Sequence, residues 1–240
     1  SFKEVDLIKR DILNLYKDDI VKYSGDDSIK VQSIFEEIPS QLQKHEKRFS
    51  FNSMQKDARY RDYKDAFFWL QESMIVNIAF NTTEPNIGLR LNRESSALKC
   101  YMGDTGLLLS LAFDEKGLVD EEIYRKILFN KLTFNEGMIM ENIVAQMLRA
   151  AGHDLYFHEY MYTPKGTARE KKYEIDFMTV KKKKICPIEV KSSGYTSHKS
   201  FDYLVEKYQL KMQDRYIIYT KDLKYQDGIL YLPLYMTPMI

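Results

Sequence analysis

The chain has 240 residues, of which 44% are hydrophobic, with 36 Lys plus Arg against 35 Asp plus Glu. That is enough apolar mass to core one large domain or two small ones, and the 18 tyrosines and 13 phenylalanines argue against disorder. A net charge of +1 leaves the choice of partners to local clusters. Cys100 and Cys186 lie far apart without CxxC spacing, which argues against a disulfide framework and for a reducing compartment. The four histidines (His45, His153, His158, His198) form no zinc-ligand pattern, and no apolar run reaches the roughly 18 residues of a membrane span. With no signal peptide visible, a soluble cytoplasmic protein with no membrane partner is expected.

The chain opens on Ser1 and enters a helical pattern at once, so a fragment of a longer protein is expected. Residues 4–23 place Val5, Ile8, Ile12, Leu15 and Ile20 at helical spacing, and Gly25 ends that helix. Val31, Ile34, Phe35 and Ile38 form the stripe of a second helix expected to stop at Pro39, with a short helix over 40–47 after it. A third helix spans 61–72, with Tyr63, Ala66, Phe67 and Leu70 on one face. Residues 75–80 and 97–102 read as strands. Three helices and then a two-stranded wing is the order of a winged helix.

Residues 112–135 read as a connection with a short helix at 121–129. A helix over 135–151 ends at Gly152. Strands follow at 155–162, 172–180 and 185–191, the last two joined by the lysine turn at 181–184. A helix at 199–211 and strands at 215–220 and 229–234 complete the pattern. Fold class is therefore α/β (α+β overall): a helical winged-helix module, then an α/β domain with a mixed central sheet. The expected division is 1–24, 25–111, 112–134 and 135–240.

The chemistry concentrates in residues 171–194, KKYEIDFMTVKKKKICPIEVKSSG. Side chains alternate along a strand, so Glu174 and Asp176 are expected on one face, with Ile175 and Phe177 opposite. Glu189 and Lys191 share a face of the next strand, and the hairpin register can bring Asp176 beside Glu189. Clustered carboxylates repel, and a hard divalent cation relieves that conflict. Mg²⁺, or Mn²⁺ in its place, lowers the pKa of bound water and stabilises charge on a phosphodiester. Lys191 is placed to orient the attacking water and offset phosphate charge. Glu141 lies on a helix whose own side carries Val144, Ala145 and Leu148, so its carboxylate is expected either to snorkel out or to reach a partner, such as a metal site at the sheet surface beneath. Pro187 lacks a ladder donor and is expected at the start of its strand.

The order of ENIVAQML, EIDF and IEVKSSG resembles the PD-(D/E)xK nuclease superfamily of restriction-endonuclease-like folds over about 100 residues. The resemblance implies metal ligation by Asp176 and Glu189, assisted by the Val190 carbonyl. It also implies Lys191 as catalytic lysine and Glu141 as the first-helix glutamate. Ile175 stands where proline often precedes the aspartate. A second resemblance, carried by RDILNLYKDDIVKY, VQSIFEEIPSQL, DYKDAFFWLQESMIV and CYMGDTGLLLSL, spans almost the whole chain. It is to the C-terminal half of prokaryotic AAA-type ATPases, in which a domain labelled DUF4143 follows the ATPase module. This resemblance implies that 1–24 is the tail of an ATPase lid. ATP would then bind only upstream, because no GxxxxGK[ST] loop occurs here.

The expected function is a metal-dependent nuclease-like effector acting on DNA beside its own ATPase module. The alternatives are an inactive nucleic-acid-binding or regulatory module, and a homo-oligomerisation domain. Lys181–Lys184 reads first as a solvated turn. Lys56, Arg59 and Arg61 are diluted as a phosphate-binding face by Asp57, Asp62 and Asp65.

Overall fold

A computed structural model describes residues 2–113, 136–195, 197–210 and 214–240; the helix expected at 121–129 lies outside the described residues. The chain is a mixed α/β protein. Its contacts divide it into two compact units, 1–78 with 99–142, and 79–98 with 143–240.

The first unit is mainly helical. Helix α1 (Phe2–Tyr23) packs against α2 (Ser28–Gln43) and α4 (Thr105–Ala112), and α3 (Tyr60–Glu72) packs on α2. Leu13, Ile20, Val31, Ile34, Phe35, Ile38, Phe67 and Leu70 are buried. Each such side chain removed from water contributes about 1.5–3 kcal/mol before entropy is counted. Part of the stripe read from α1 points elsewhere: Val5, Ile8 and Leu15 are 53%, 59% and 61% exposed, while Ile20 faces inward together with Asp6 and Leu13. Asp6 is tolerated there because Arg10 Nε donates to it at 2.8 Å and the Ser110 hydroxyl at 3.2 Å.

Helix α2 runs through Pro39 to Gln43, replacing the two helices expected on either side of that proline. Asp62 accepts from the Arg59 backbone N–H at 2.9 Å, so this carboxylate serves the start of α3. Gly103 donates to the Ile75 carbonyl at 2.8 Å, and a Cβ there would lie 2.6 Å from the Met74 carbonyl oxygen. Only glycine fits. Asp104 then caps α4 by accepting from Leu107 N–H at 2.9 Å, which gives the GDTG stretch a structural role.

The strands form an eight-stranded mixed sheet in the order β2-β1-β3-β4-β5-β6-β8-β7, most of whose residues fall in the second unit. Its strands are β1 (Val76–Thr82), β2 (Arg93–Met102), β3 (Leu155–Tyr162), β4 (Lys171–Lys181), β5 (Lys184–Val190), β6 (Arg215–Tyr219), β7 (Lys224–Gln226) and β8 (Ile229–Pro233). The expected wing is instead the β2-β1 side of this sheet: β1 pairs in parallel with β3, Ala79 opposite Leu155 and Asn81 opposite Phe157. The physical reason is burial. Nearly every β1 residue is buried, as suits an interior strand and not one face of an exposed hairpin.

Helix α5 (Glu136–Ala150) leads into β3, and α6 (Lys199–Tyr208) joins β5 to β6, which are parallel. A parallel pair requires such a crossover, and the helix supplies it. β7 was not anticipated from sequence; three exposed residues carry no apolar pattern to read. Pro187 lies within β5 opposite Met178, buried, and not at the strand's start.

Candidate functional site

β4 and β5 form an antiparallel hairpin in which Phe177 pairs with Ile188, Met178 with Pro187 and Thr179 with Cys186. Lys182 and Lys183 close it with φ of 50° and 61°. Two positive-φ residues give a turn whose twist matches the strands, usually built from Asn-Gly.

On its other edge β4 pairs with β3, and here the register slips. Tyr156 faces Met178 but His158 faces Ile175, so three steps on β4 answer two on β3. The extra residue falls at Asp176 and Phe177. Strict alternation therefore stops at the aspartate, as a bulge does when it re-aims a side chain. Asp176 Oδ2 accepts from the Val190 backbone N–H at 2.7 Å, which holds the carboxylate against the end of β5.

Glu189 sits two residues beyond Pro187, on the face that Pro187, Met178 and Tyr156 share. Helix α6 covers that face: Tyr160 hydroxyl donates to the Ser200 carbonyl, and Asp202 Oδ1 lies 3.9 Å from Arg215 Nη1. Glu189 is 1% exposed, and its Oε1 finds no hydrogen-bond partner. Lys191 Nζ lies 2.6 Å from Glu189 Oε2, with its side chain 28% exposed.

A buried carboxylate oxygen without a donor is costly, and a cation placed there would relieve it. Among the described residues no group of three or more His, Cys, Asp or Glu converges on one point. The carboxylates at this end of the hairpin are Asp176, held on the Val190 N–H, and the buried Glu189. That donor set suits Mg²⁺, which commonly takes one or two carboxylates and completes its shell with water and phosphate.

Glu141 is placed in the first unit, whereas Asp176, Glu189 and Lys191 are in the second. Its side chain is 7% exposed; Oε1 lies 2.6 Å from Lys47 Nζ, Oε2 lies 4.0 Å from Lys99 Nζ, and Tyr101 hydroxyl donates to Oε2 at 3.2 Å. The partners this carboxylate reaches are therefore two lysines and a tyrosine hydroxyl. Asn142 beside it bonds both backbone groups of Met102, accepting from N–H at 2.9 Å and donating to C=O at 3.1 Å, and also donates to Thr105 hydroxyl at 2.8 Å. Neither the lysines nor Asn142 was singled out in sequence, because Lys47, Lys99 and Glu141 are far apart in the chain and share no motif.

His158, read as a structural residue, is fully buried. Thr82 C=O can only accept, so Nδ1 carries the proton and donates to it at 2.6 Å. Nε2 then accepts from Tyr208 hydroxyl, 3.1 Å away. The ring stacks on Tyr160 with centroids 5.4 Å apart. Burial holds the imidazole below its ordinary pKa of 6.5, against the opposing pull of the Thr82 bond. Burial, and then the Glu189 charge, push the Tyr160 hydroxyl well above its usual range.

Residues 136–236 match the family described as "Domain of unknown function (DUF4143)", a span containing Glu141, Asp176, Glu189 and Lys191. Residues 2–117 match a different family, "Domain of unknown function (DUF8612)". No curated protein matches. Among solved structures, the chain is similar to the crystal structure of protein VC1899 from Vibrio cholerae, with 14% identity and a TM-score of 0.29. The alignment covers 98% of this chain and 53% of that one, so this chain spans about half its length. No described helix is long and apolar enough to cross a membrane.

Proposed function

We propose that the second unit is a metal-dependent phosphodiesterase of nuclease type acting on DNA, with Asp176 and Glu189 as ligands of Mg²⁺ or Mn²⁺ and Lys191 as the catalytic lysine. The single observation that carries this reading is the buried Glu189 carboxylate, whose Oε1 has no hydrogen-bond partner while Lys191 holds Oε2. When bound, the cation would supply a lowered pKa for water and charge neutralisation at phosphorus. Asp176, held to the β5 backbone, would be one of the residues holding the ion. Lys191 exchanges its bond to Glu189 for one to a phosphate oxygen or the attacking water. Glu141 is assigned to its own unit, where Lys47 and Lys99 neutralise it. The likeness to ATPase C-terminal halves supports an effector role beside an ATPase module.

A second reading is favoured by the same ion pair. Lys191 already gives Glu189 a counter-charge, an arrangement that serves equally a non-catalytic DNA-binding or regulatory module. The deciding experiment is cleavage of supercoiled and linear DNA across Mg²⁺ and Mn²⁺ concentrations, with Asp176→Ala as control. Metal-dependent cutting lost in the variant supports the enzyme. Equal inertness of both proteins, with retained DNA binding, establishes the second reading and removes the first.

A further inference from the structure

The parallel strands β5, β6 and β8 end side by side, and their register sets one row of side chains on the Glu189 face. Glu189 pairs with Ile217, and Ile217 with Tyr231. Tyr219, two residues beyond Ile217, stands on that same face. Lys191 N–H donates to Ile218 C=O at 2.8 Å, which sets the lysine alongside the end of β6. In open α/β sheets ligands collect at this carboxyl end of the strands.

Three tyrosines are assembled there. The Tyr195 and Tyr219 rings meet edge to face at 5.4 Å and 66°, and Tyr219 meets Tyr231 at 5.6 Å. Tyr219 and Tyr231 are buried, whereas Tyr195, on the loop that follows Lys191, is only partly buried. Lys221 donates to the Tyr195 hydroxyl with its ammonium 4.6 Å from the ring centroid, and Lys224 Nζ lies 5.4 Å from the Tyr231 centroid. The nuclease reading does not use these residues. An aromatic ring backed by two buried rings is a rigid stacking surface, and an exposed ammonium at its edge is a phosphate contact.

We propose that Tyr195 and Lys221 form a binding step for single-stranded DNA next to Lys191: an unpaired base rests on the Tyr195 ring and its neighbouring phosphate on Lys221. This rests on the nuclease reading only for the place of the scissile phosphate. Bases inside a duplex are already stacked on one another, so the ring discriminates for unpaired strands. Lys224 adds charge along the same edge.

The test is fluorescence anisotropy of a labelled oligothymidylate and of a duplex of equal length, with the full 240-residue chain in EDTA so that no cutting occurs. The expected result is tighter binding of the single strand, weakened roughly 5- to 150-fold by Tyr195→Ala and little changed by Tyr195→Phe. Lys221→Ala, at an exposed position, should lower the slope of log K against log salt by about 0.7, and Lys221→Arg should restore it. Duplex binding as tight as single-strand binding, or single-strand affinity and salt slope unmoved by Tyr195→Ala and Lys221→Ala, overturns the proposal. Because metal is absent, inert wild-type protein in the cleavage assay would remove the nuclease reading and leave this result standing, and the reverse also holds.

Discussion

Lys191 and Glu189 close on each other: the ammonium of one lies 2.6 Å from a carboxylate oxygen of the other, across a single intervening residue. An E-x-K pair on a strand is usually a solvated edge. Here Glu189 is buried and Lys191 reaches solvent, so the pair joins the interior to the surface. Lys191→Ala is expected to leave Glu189 as an uncompensated buried charge, destabilising the fold by about 1–3 kcal/mol after allowance for the lysine's partial exposure. Added Mn²⁺ should then raise the melting temperature of Lys191→Ala more than that of wild type, because the ion replaces the lost counter-charge. Equal metal-induced shifts in thermal unfolding would show that no cation is bound at Glu189.

Glu141→Gln separates a structural carboxylate from a metal ligand. Lys47 and Lys99 would be left facing a neutral amide, and breaking a buried pair costs about 3–5 kcal/mol. Denaturant unfolding should show that loss, while Mn²⁺ affinity of the folded protein stays at the wild-type value. A tenfold or greater drop in Mn²⁺ affinity would instead return Glu141 to the ligand set.

The β4–β5 turn holds Lys182 and Lys183 at positive φ, where a residue with a Cβ is strained. Lys182→Asn with Lys183→Gly should stabilise the protein by about 1 kcal/mol, since both new residues suit that turn. If the turn is only a solvated closure, DNA affinity measured by gel retardation will be unchanged. A weakened affinity would assign the lysines to phosphate contact.

His158 links stability to pH. Its folded pKa is depressed by burial, so the unfolded chain takes up the proton first as pH falls. Its contribution is complete above the unfolded value of about 6.5 and is lost as pH drops from there towards the folded pKa. Unfolding free energy measured from pH 8 to pH 5 should therefore decline below about pH 6.5. His158→Gln, able to keep a polar contact in the same place without titrating, should remove that part of the decline.

The order of helix, strands and crossover from 136 to 233 was legible because each element carries a local signal. Apolar spacing marks α5, β-rich runs bounded by Gly152 and the lysine turn mark β3 to β5, and the patterns of α6, β6 and β8 are equally plain. The E-x-K motif was legible for the same reason, since alternation alone sets Glu189 and Lys191 on one face. The first helix misled because Val5, Ile8 and Leu15 match helical spacing as well as Leu13 and Ile20 do. Periodicity reports that a face is apolar, not which face is covered.

Sequence by itself determined the mixed α/β class, the apolar repeats of the helices and the residue types of the E-x-K and aspartate motifs, all of which follow from spacing within one element. Tertiary structure alone decided that β1 and β2 join the main sheet, that a register slip re-aims Asp176 onto the Val190 N–H, and that Glu141 meets Lys47 and Lys99. These depend on strand pairing and on residues far apart in the chain, where hydrogen-bond register and the cost of burying charge choose the partner.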